Sequence, residues 1–527
     1  MFTFSTLMRA IAVVLVAGAA TFATSQAADL RVALKTEPSS MDPHFHVYSP
    51  NIMVGMYTFD KLVNFDEKMN LVPGLATSWT ATDDQTWEIK LRPGVKFHDG
   101  TALSGEDVKF TIARAISIPN SPSSYERFLK PITNVEIVDP TTIRLKTAAP
   151  FPLMPRYLAT FAIVSKKHAE NLQTADYNTG KAMMGTGPFK FVEWVKGDRI
   201  VFTRNDAYWG EKAPWDKVTL RPMGSDAVRV AALLAGDVDV VEQVPTTDIA
   251  NLKSNSRVSL VQGPSSMMIY LAMDSSRDAS PFVTDKQGRP LDRNPLKDAR
   301  VRKAISKAIN REVIVDRVME KNGLPAGQIQ LDGTFAASPR LKPEAFDPDG
   351  ARKLLAEAGW GDGFGLTLHA SKNHYVNDDK VAETIAQMLV RVGIATKVET
   401  MPSASLFSRG TKLEFSFLMA GWGSNTGEPS EVLTGLLHTN DPAKGFGGAN
   451  RGRFSNKELD TALEQALVTV DKTKHEQFLV RATEVAREQD GVIFVHFQTN
   501  TWGLRKGLTL TPRVDSYTLA AVVSEAK

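Results

Sequence analysis

The sequence predicts an α/β protein, because helical and strand-like hydrophobic patterns alternate along most of its 527 residues. One helix is clear at Val301–Ile309, where apolar residues recur at i, i+3, i+4, i+7 and i+8 and so form one buried face. One strand is clear at Arg199–Arg204, where polar and apolar residues alternate after a hairpin turn at Lys196–Asp198. Short apolar strands between amphipathic helices favour sheets covered by helices.

Turn residues and helix caps place the remaining elements. Asp347 followed by Pro348 is typical of an N-cap and first helical position, and Ser455 with Glu458 matches a capping box. The predicted strands are Leu30–Leu34, Trp87–Leu91, Ile137–Leu145, Phe189–Trp194, Arg199–Arg204, Val238–Val241, Leu413–Met419 and Gly491–Phe497. The predicted helices begin at Ser104, Val228, Val301, Asp347, Asn377, Ser455 and Asp471.

Composition excludes several classes of protein. The formal charge of +3 is small for this length, and no basic block stands out, so nucleic-acid binding is not expected. The chain has no cysteine, which rules out disulfides, cysteine–zinc sites and cysteine catalysis, and fits an oxidising periplasm. At roughly 150 residues per domain the length predicts about three domains.

The N-terminus has the pattern of an export signal. Arg9 precedes the apolar stretch Ile11–Ala20, which is too short for a comfortable membrane span, and Ser25–Ala27 fits a cleavage site. We therefore expect residues 1–27 to be a signal peptide cut after Ala27, and the mature protein to be periplasmic; a retained anchor is the alternative.

The segment Leu91–Phe110, LRPGVKFHDGTALSGEDVKF, closely resembles the signature of the extracellular solute-binding proteins of the dipeptide/oligopeptide/nickel group, family 5. These proteins are the receptors of ABC importers. Further segments match this family in order: LATSW at Leu75–Trp79, GTGPFKFVEW at Gly185–Trp194, NDAYWG at Asn205–Gly210, GDVDVV at Gly236–Val241, DARVRKAISKAINRE at Asp298–Glu312, ARKLLAEAGW at Ala351–Trp360 and GW at Gly421–Trp422.

The resemblance implies a two-lobe periplasmic binding protein of the class II or cluster C type, with an extra N-terminal subdomain and the ligand in the interlobe cleft. Lobe I would comprise residues 28–56, 186–283 and 493–527, its extra subdomain 57–185, and lobe II 284–492. We expect the chain to cross between lobes near Ser275–Arg293, which is polar and rich in proline and aspartate, and near Gln489–Gly491.

The best candidate for the cleft lining is Met419–Glu431, a glycine-rich segment after a buried strand. In peptide-binding relatives the corresponding loop contacts the ligand main chain, which nominates Gly421, Trp422, Gly423, Ser424 and Asn425. An ordinary glycine-rich loop with a core tryptophan is the alternative.

One residue departs from the family pattern. Peptide binders usually carry aspartate three residues after the tryptophan, where it neutralises the peptide ammonium group, whereas this chain has Asn425. Either Glu428 or Glu431 supplies the charge, or the ligand has no free amine at that place. If the position faces an ammonium group, Asn425→Asp should tighten the binding of free-amine peptides.

Further candidates come from other segments. Tyr375 matches a tyrosine near the carboxylate end of dipeptides in relatives. The usual arginine is missing, and Lys372 or Arg409 could replace it, although a solvated surface cation is the favoured interpretation of each. Ser40 and Met41 follow the first strand and could lie at the cleft mouth or in a plain turn. Trp502 offers a second aromatic wall or a packed core residue.

Chemical catalysis and metal binding have little support in the sequence. No nucleophile-elbow, zinc-protease or phosphate-loop motif occurs, and His44 with His46 is a weak metal signal without supporting carboxylates. We expect no catalytic residue, no metal and no cofactor.

The predicted function is the periplasmic substrate-binding component of an ABC transporter that captures a peptide or peptide-like solute. The expected partners are a peptide or small polar solute, two permease subunits and two ATP-binding subunits, with the receptor itself a monomer. A receptor for a nickel chelate, sugar or opine-like solute is the runner-up. A secreted hydrolase that shares only the architecture is the rival from another class.

Overall fold

The computed structural model describes residues 28–526, so the predicted signal peptide at 1–27 lies outside the described residues. The strands are β1 (Asp29–Leu34), β2 (Val63–Phe65), β3 (Leu71–Pro73), β4 (Ala76–Asp83), β5 (Thr86–Leu91), β6 (Ile132–Asp139), β7 (Thr142–Thr147), β8 (Phe189–Val195), β9 (Arg199–Arg204), β10 (Lys217–Pro222), β11 (Val240–Val241), β12 (Val258–Met273), β13 (Val283–Thr284), β14 (Gly323–Pro325), β15 (Phe364–Ser371), β16 (Ile394–Met401), β17 (Phe417–Trp422), β18 (Val492–Arg505), β19 (Leu508–Leu510) and β20 (Val523–Glu525).

The α-helices are α1 (Ser49–Thr58), α2 (Gly105–Ile116), α3 (Glu126–Leu129), α4 (Met154–Leu158), α5 (Lys166–Ala169), α6 (Thr174–Asn178), α7 (Asp226–Ala235), α8 (Thr246–Ser254), α9 (Ala299–Ala308), α10 (Arg311–Val313), α11 (Pro348–Glu357), α12 (Asp378–Val390), α13 (Ser403–Thr411), α14 (Pro429–Val432), α15 (Lys457–Val468) and α16 (Lys472–Glu488). Within the described part of the chain, no helix is both long and apolar enough to cross a membrane.

Two long strands, β12 and β18, connect the two halves of the molecule. They pair with each other along two stretches, Val258–Pro264 with Thr499–Arg505 and Met268–Ala272 with Val492–Phe497, separated by a shift of register. The first stretch continues through β11, β1, β10, β9 and β8, which with their covering helices form lobe I; the second continues through β17, β15 and β13, which form lobe II.

Each lobe buries apolar residues on both faces of its part of the sheet. In lobe I, helices α7 and α8 cover one face, and α1 with the C-terminal tail covers the other. In lobe II, α9, α11 and α12 pack on one face, and α15 and α16 on the other. The helix predicted at Val301–Ile309 is confirmed as α9, with Val301, Ala304 and Ile305 fully buried.

A separate antiparallel sheet of β4, β5, β7 and β6 forms its own core with α2 and α3 between α1 and β8. We call this unit the N-terminal subdomain. The helix start predicted at Ser104 is confirmed, and Ser104 forms a capping box there: its backbone N–H donates to Asp107 Oδ2 over 2.9 Å.

The crossings between lobes differ from those predicted. They lie at the register shift between Pro264 and Met268 and at Phe497–Thr499, not near Ser275–Arg293 or Gln489–Gly491. The polar, proline-rich segment indicated a linker, but it folds against lobe II, where Asn294 Nδ2 donates to the carbonyl of Asp274 over 2.9 Å.

Three element predictions also need correction. Ile137–Leu145 is not one strand but the hairpin of β6 and β7, because Asp139 accepts a hydrogen bond of 2.8 Å from the backbone of Thr141 and closes a turn. Strand β17 begins at Phe417 rather than Leu413, whose φ of +59° is incompatible with a strand. The N-cap of α15 is Asn456, not Ser455.

Candidate functional site

Two adjoining chambers lie where the lobes meet the N-terminal subdomain. Each has about 420 Å³ of empty space that is open to solvent, and Met69 borders both. The first chamber is lined mainly by lobe II and the crossing strands, and the second mainly by α1, the subdomain and the C-terminal tail.

The first chamber has an aromatic wall and two serines. The ring of Trp422 is fixed against Gly435, where an added Cβ would lie 2.8 Å from the ring edge. Ser424 is buried, and its hydroxyl has no hydrogen-bond partner among residues 28–526. The other lining residues are Met69, Ser266, Met268, Ile329, Gln330, Leu331, Thr334, Gly427, Val432, Phe497 and Val514.

The second chamber carries charge. Arg513 and Asp515 form an ion pair in which Nε donates to Oδ1 over 3.0 Å and Nη2 donates to Oδ2 over 2.6 Å. Burial lowers the pKa of Lys61 to about 8, opposed by Asp515 and assisted by Arg513. The other lining residues are Val47, Ile52, Met56, Phe65, Met69, Phe128, Ala159, Thr160, Asn425 and Tyr517.

A buried ion cluster joins the subdomain to lobe II beside these chambers. Arg156 of α4 lies 3.0 Å from Glu428 Oε2, and His475 Nε2 lies 3.2 Å from Glu428 Oε1. Arg156 also donates to the carbonyl of Thr426 over 2.8 Å. Burial acts to lower the pKa of His475. Its hydrogen bond to Glu428 and the charge of that carboxylate raise the pKa by more than burial lowers it, so the net shift is upward.

The structure brings six of the sequence-predicted residues together in the cleft. Trp422 and Ser424 line the first chamber and Asn425 the second. Tyr375 packs beneath this loop, and its hydroxyl donates to the carbonyl of Gly421 over 3.2 Å. Gly421 has to be glycine, because a Cβ would lie 2.7 Å from the tyrosine ring. Gly423, also predicted, approaches Met267: an added Cβ would lie 3.1 Å from its Cε.

Three other predicted residues lie inside lobe I, which corrects the expectation that they line the cleft. Trp502 is 1% exposed, and its indole N–H donates to Thr518 Oγ1 over 2.9 Å. Ser40 donates its hydroxyl to Asn178 Oδ1 over 2.8 Å, and Met41 is buried in the same lobe.

The predicted charged residues either form ion pairs with other side chains or do not border the chambers. Glu428 is buried and already neutralised by Arg156, so it has no free charge for a ligand ammonium group. Arg409 pairs with Glu414 over 2.8 Å on the surface of lobe II. Lys372 is exposed and borders neither chamber.

The two histidines considered as a metal pair have different partners. Arg114 Nη1 donates to His44 Nδ1 over 2.8 Å, and His44 Nε2 lies 2.8 Å from the carbonyl of Ala162. His46 Nδ1 instead lies 3.1 Å from Ser39 Oγ. Across residues 28–526 no group of three metal-ligating side chains converges.

Sequence reasoning missed Lys61, Arg513 and Asp515. Lys61 follows Asp60 just after α1, where a lysine is typical of a solvated turn, and nothing local indicates burial. Its burial comes from the tail at 513–517, which is distant in sequence and packs over the subdomain, as in the bond of 3.2 Å from Arg513 Nη2 to the carbonyl of Phe65.

Comparison with known proteins identifies the family. Residues 70–444 match the bacterial extracellular solute-binding proteins, family 5 Middle. The chain belongs to this family. This family 5 protein is 31% identical over 456 residues to the glutathione-binding protein GsiB of Pectobacterium atrosepticum, covering 85% of this chain and 84% of that one. The GsiB protein of Escherichia coli K12 is 31% identical over 467 residues, with 87% of both chains covered.

Among solved structures, the unliganded open form of the periplasmic murein tripeptide-binding protein MppA superposes on the family 5 protein with a TM-score of 0.79. The identity is 25%, and the match covers 95% of this chain and 98% of that one. The family resemblance and the two-lobe α/β fold predicted from the sequence are thereby confirmed. The family 5 protein is a solute-binding receptor of an ABC importer, whose partners are a permease and an ATPase.

Proposed function

We propose that this receptor captures a peptide or peptide-like solute between its lobes and releases it unaltered to the permease. The observation that supports this most is the loop from Gly421 to Gly427, which extends from lobe II into both chambers. Trp422 offers a flat apolar surface, and Ser424 and Asn425 offer polar atoms, as binding an amide backbone requires.

The named relatives favour a short peptide. GsiB proteins are named for glutathione and MppA for a murein tripeptide, so glutathione and tripeptides are the first solutes to test.

Closure of the lobes is the step that converts binding into a signal for the permease. Arg156 reaches across from the subdomain to Glu428 and Thr426, so contacts between the two sides of the cleft stabilise this arrangement. A solute that adds contacts to both lobes shifts the population toward that arrangement. We further propose export by a signal peptide cut after Ala27, a periplasmic monomer, and docking on two permease and two ATP-binding subunits.

Mass spectrometry of the solute released from the purified protein by mild denaturation tests the proposal. Thermal unfolding is then followed with that solute, glutathione and a tripeptide library. A peptide at 100 times its dissociation constant should add about 2.7 kcal/mol to the free energy of unfolding. Recovery of a nickel chelate, sugar or opine, with no response to peptides, would contradict a peptide ligand, and turnover of the solute would contradict a receptor.

A further inference from the structure

Lys61 is a buried cation without a partner. The residue is 6% exposed, and the charges that act on its ammonium group are those of Asp515 and Arg513, with a hydrogen bond to neither. Its backbone is fixed, because its carbonyl accepts the N–H of Leu75 over 2.9 Å. The side chain lines the second chamber. A buried ammonium group without a counter-charge is costly and is rarely retained without a role.

The nearest charges do not neutralise it. Asp515 is occupied by Arg513, which holds both carboxylate oxygens with Nε and Nη2 and donates Nη2 to the carbonyl of Phe65 as well. The pair is therefore neutral as a unit, and the chamber keeps the single positive charge of Lys61. The hydroxyl of Thr160, another lining residue, is already donated to the carbonyl of Tyr157 over 2.7 Å.

Asn425 lies on the lobe II side of the second chamber. It is the lining residue of the second chamber that comes from that lobe, and its amide is neutral. An aspartate there would add a negative charge to the chamber that already holds Lys61. Asparagine leaves the charge of Lys61 available and adds an amide N–H that can donate to an anion. Both features, the asparagine at position 425 and the unpaired Lys61, thus leave a positive charge available in the second chamber.

We propose that the second chamber binds a carboxylate group of the solute, with Lys61 as its counter-charge and Asn425 closing over it from lobe II. The inference rests on the proposed function and adds the chemistry of one end of the ligand. It reverses the expectation for Asn425→Asp: the new carboxylate would pair with Lys61, occupy the position of the ligand's anion and weaken binding.

The test uses the full mature receptor, stripped of its solute by denaturation and refolded, and calorimetry or thermal unfolding. The probes are glutathione, trialanine, trialanine amide, glutarate and glutaramide. Every probe with a free carboxylate should bind better than its amide counterpart, by about tenfold or more, because a charge-assisted bond replaces a neutral one. Lys61→Met should remove this preference, Lys61→Arg should retain most of it, and Lys96→Met, at an exposed lysine of the same subdomain, should leave it intact.

The melting temperature of the solute-free protein gives a second readout, on which the substitution of Lys61 should have the opposite effect to its effect on binding. Lys61→Met should raise the melting temperature without solute, because it removes an unpaired buried charge, while it weakens carboxylate binding. Asn425→Asp should do the same through an internal ion pair, which keeps the proposal testable if Lys61→Met fails to fold.

The outcomes separate the two proposals. If peptides bind equally well with and without a carboxylate, or if Lys61→Met retains the preference, the carboxylate site is refuted and the peptide receptor stands. If glutarate binds through Lys61 but peptides do not, the carboxylate site stands and the peptide ligand is refuted. Binding of no carboxylate probe refutes the site outright.

Discussion

Neutralising Glu428 should weaken solute binding without unfolding the receptor. In Glu428→Gln the shape of the side chain is kept, but the buried guanidinium of Arg156 loses the carboxylate 3.0 Å away. Removing one partner of a buried ion pair costs about 3–5 kcal/mol. Arg156 retains hydrogen bonds to the carbonyls of Met69 and Thr426, at 3.2 and 2.8 Å, so the lower end of this range applies.

The cost should fall on the closed arrangement of the lobes, because Arg156 and Glu428 come from opposite sides of the cleft. Opening the cleft exposes the guanidinium of Arg156 to water and so removes the cost of burying it without a carboxylate. The variant therefore does not need to unfold to relieve this cost. A change of about 3 kcal/mol lowers the closed population relative to the open one by about 100-fold. The affinity for a solute that binds the closed form should fall by up to the same factor.

Calorimetry with the solute that co-purifies with the wild type measures this loss, and circular dichroism checks that the variant is folded. Glu431→Gln is the matched control. Glu431 also faces the subdomain, and its side chain is 24% exposed. Its partner Arg127 is 3.6 Å away and 55% exposed, so less than about 1 kcal/mol is at stake. Equal affinities for wild type and Glu428→Gln, or equal losses in both variants, would refute the reasoning.

Three further predictions concern pH and packing. Burial acts to lower the pKa of His475, but Glu428 raises it by more, so the stability contributed by this ion pair is complete below pH 6.5 and is lost as pH rises through the folded pKa. The free energy of unfolding in urea should therefore fall as pH rises above 6.5, and His475→Gln should abolish that slope. Burial lowers the pKa of His496 to about 4, so the free energy of unfolding should fall by about 3 kcal/mol as pH falls from about 6.5 to 4. Urea unfolding of His496→Leu should show a weaker dependence of stability on pH. Gly421→Ala should displace Tyr375, whose ring would lie 2.7 Å from the new Cβ, and weaken solute binding with little change in urea midpoint; unchanged binding would show that Tyr375 can move freely.

The sequence was sufficient for the fold class, because this depends on local patterns and on motifs with a fixed order. It also nominated the loop at Gly421–Asn425, which lies beside both chambers. It was misleading for Trp502: a tryptophan after an apolar strand suggested a wall, but the alternation of β18 turns this side chain into the core of lobe I. Glu428 was nominated for its charge, and only the tertiary structure shows that Arg156 has already neutralised it.

The second chamber could not be predicted from local sequence. Its charged residues come from the start of the subdomain and from the C-terminal tail, and the burial of Lys61 is a consequence of packing between segments far apart in the chain. The crossings were misplaced for a similar reason. A polar, proline-rich segment is typical of a linker, whereas these lobes are joined by paired strands that change register after Pro264.

The central claim is that the lobes close over a solute that binds between them. Small-angle X-ray scattering of the stripped receptor, titrated with its own co-purified solute, tests it most directly. The account predicts that the radius of gyration falls and saturates at one solute per receptor. An identical radius of gyration at zero and at saturating solute would contradict it.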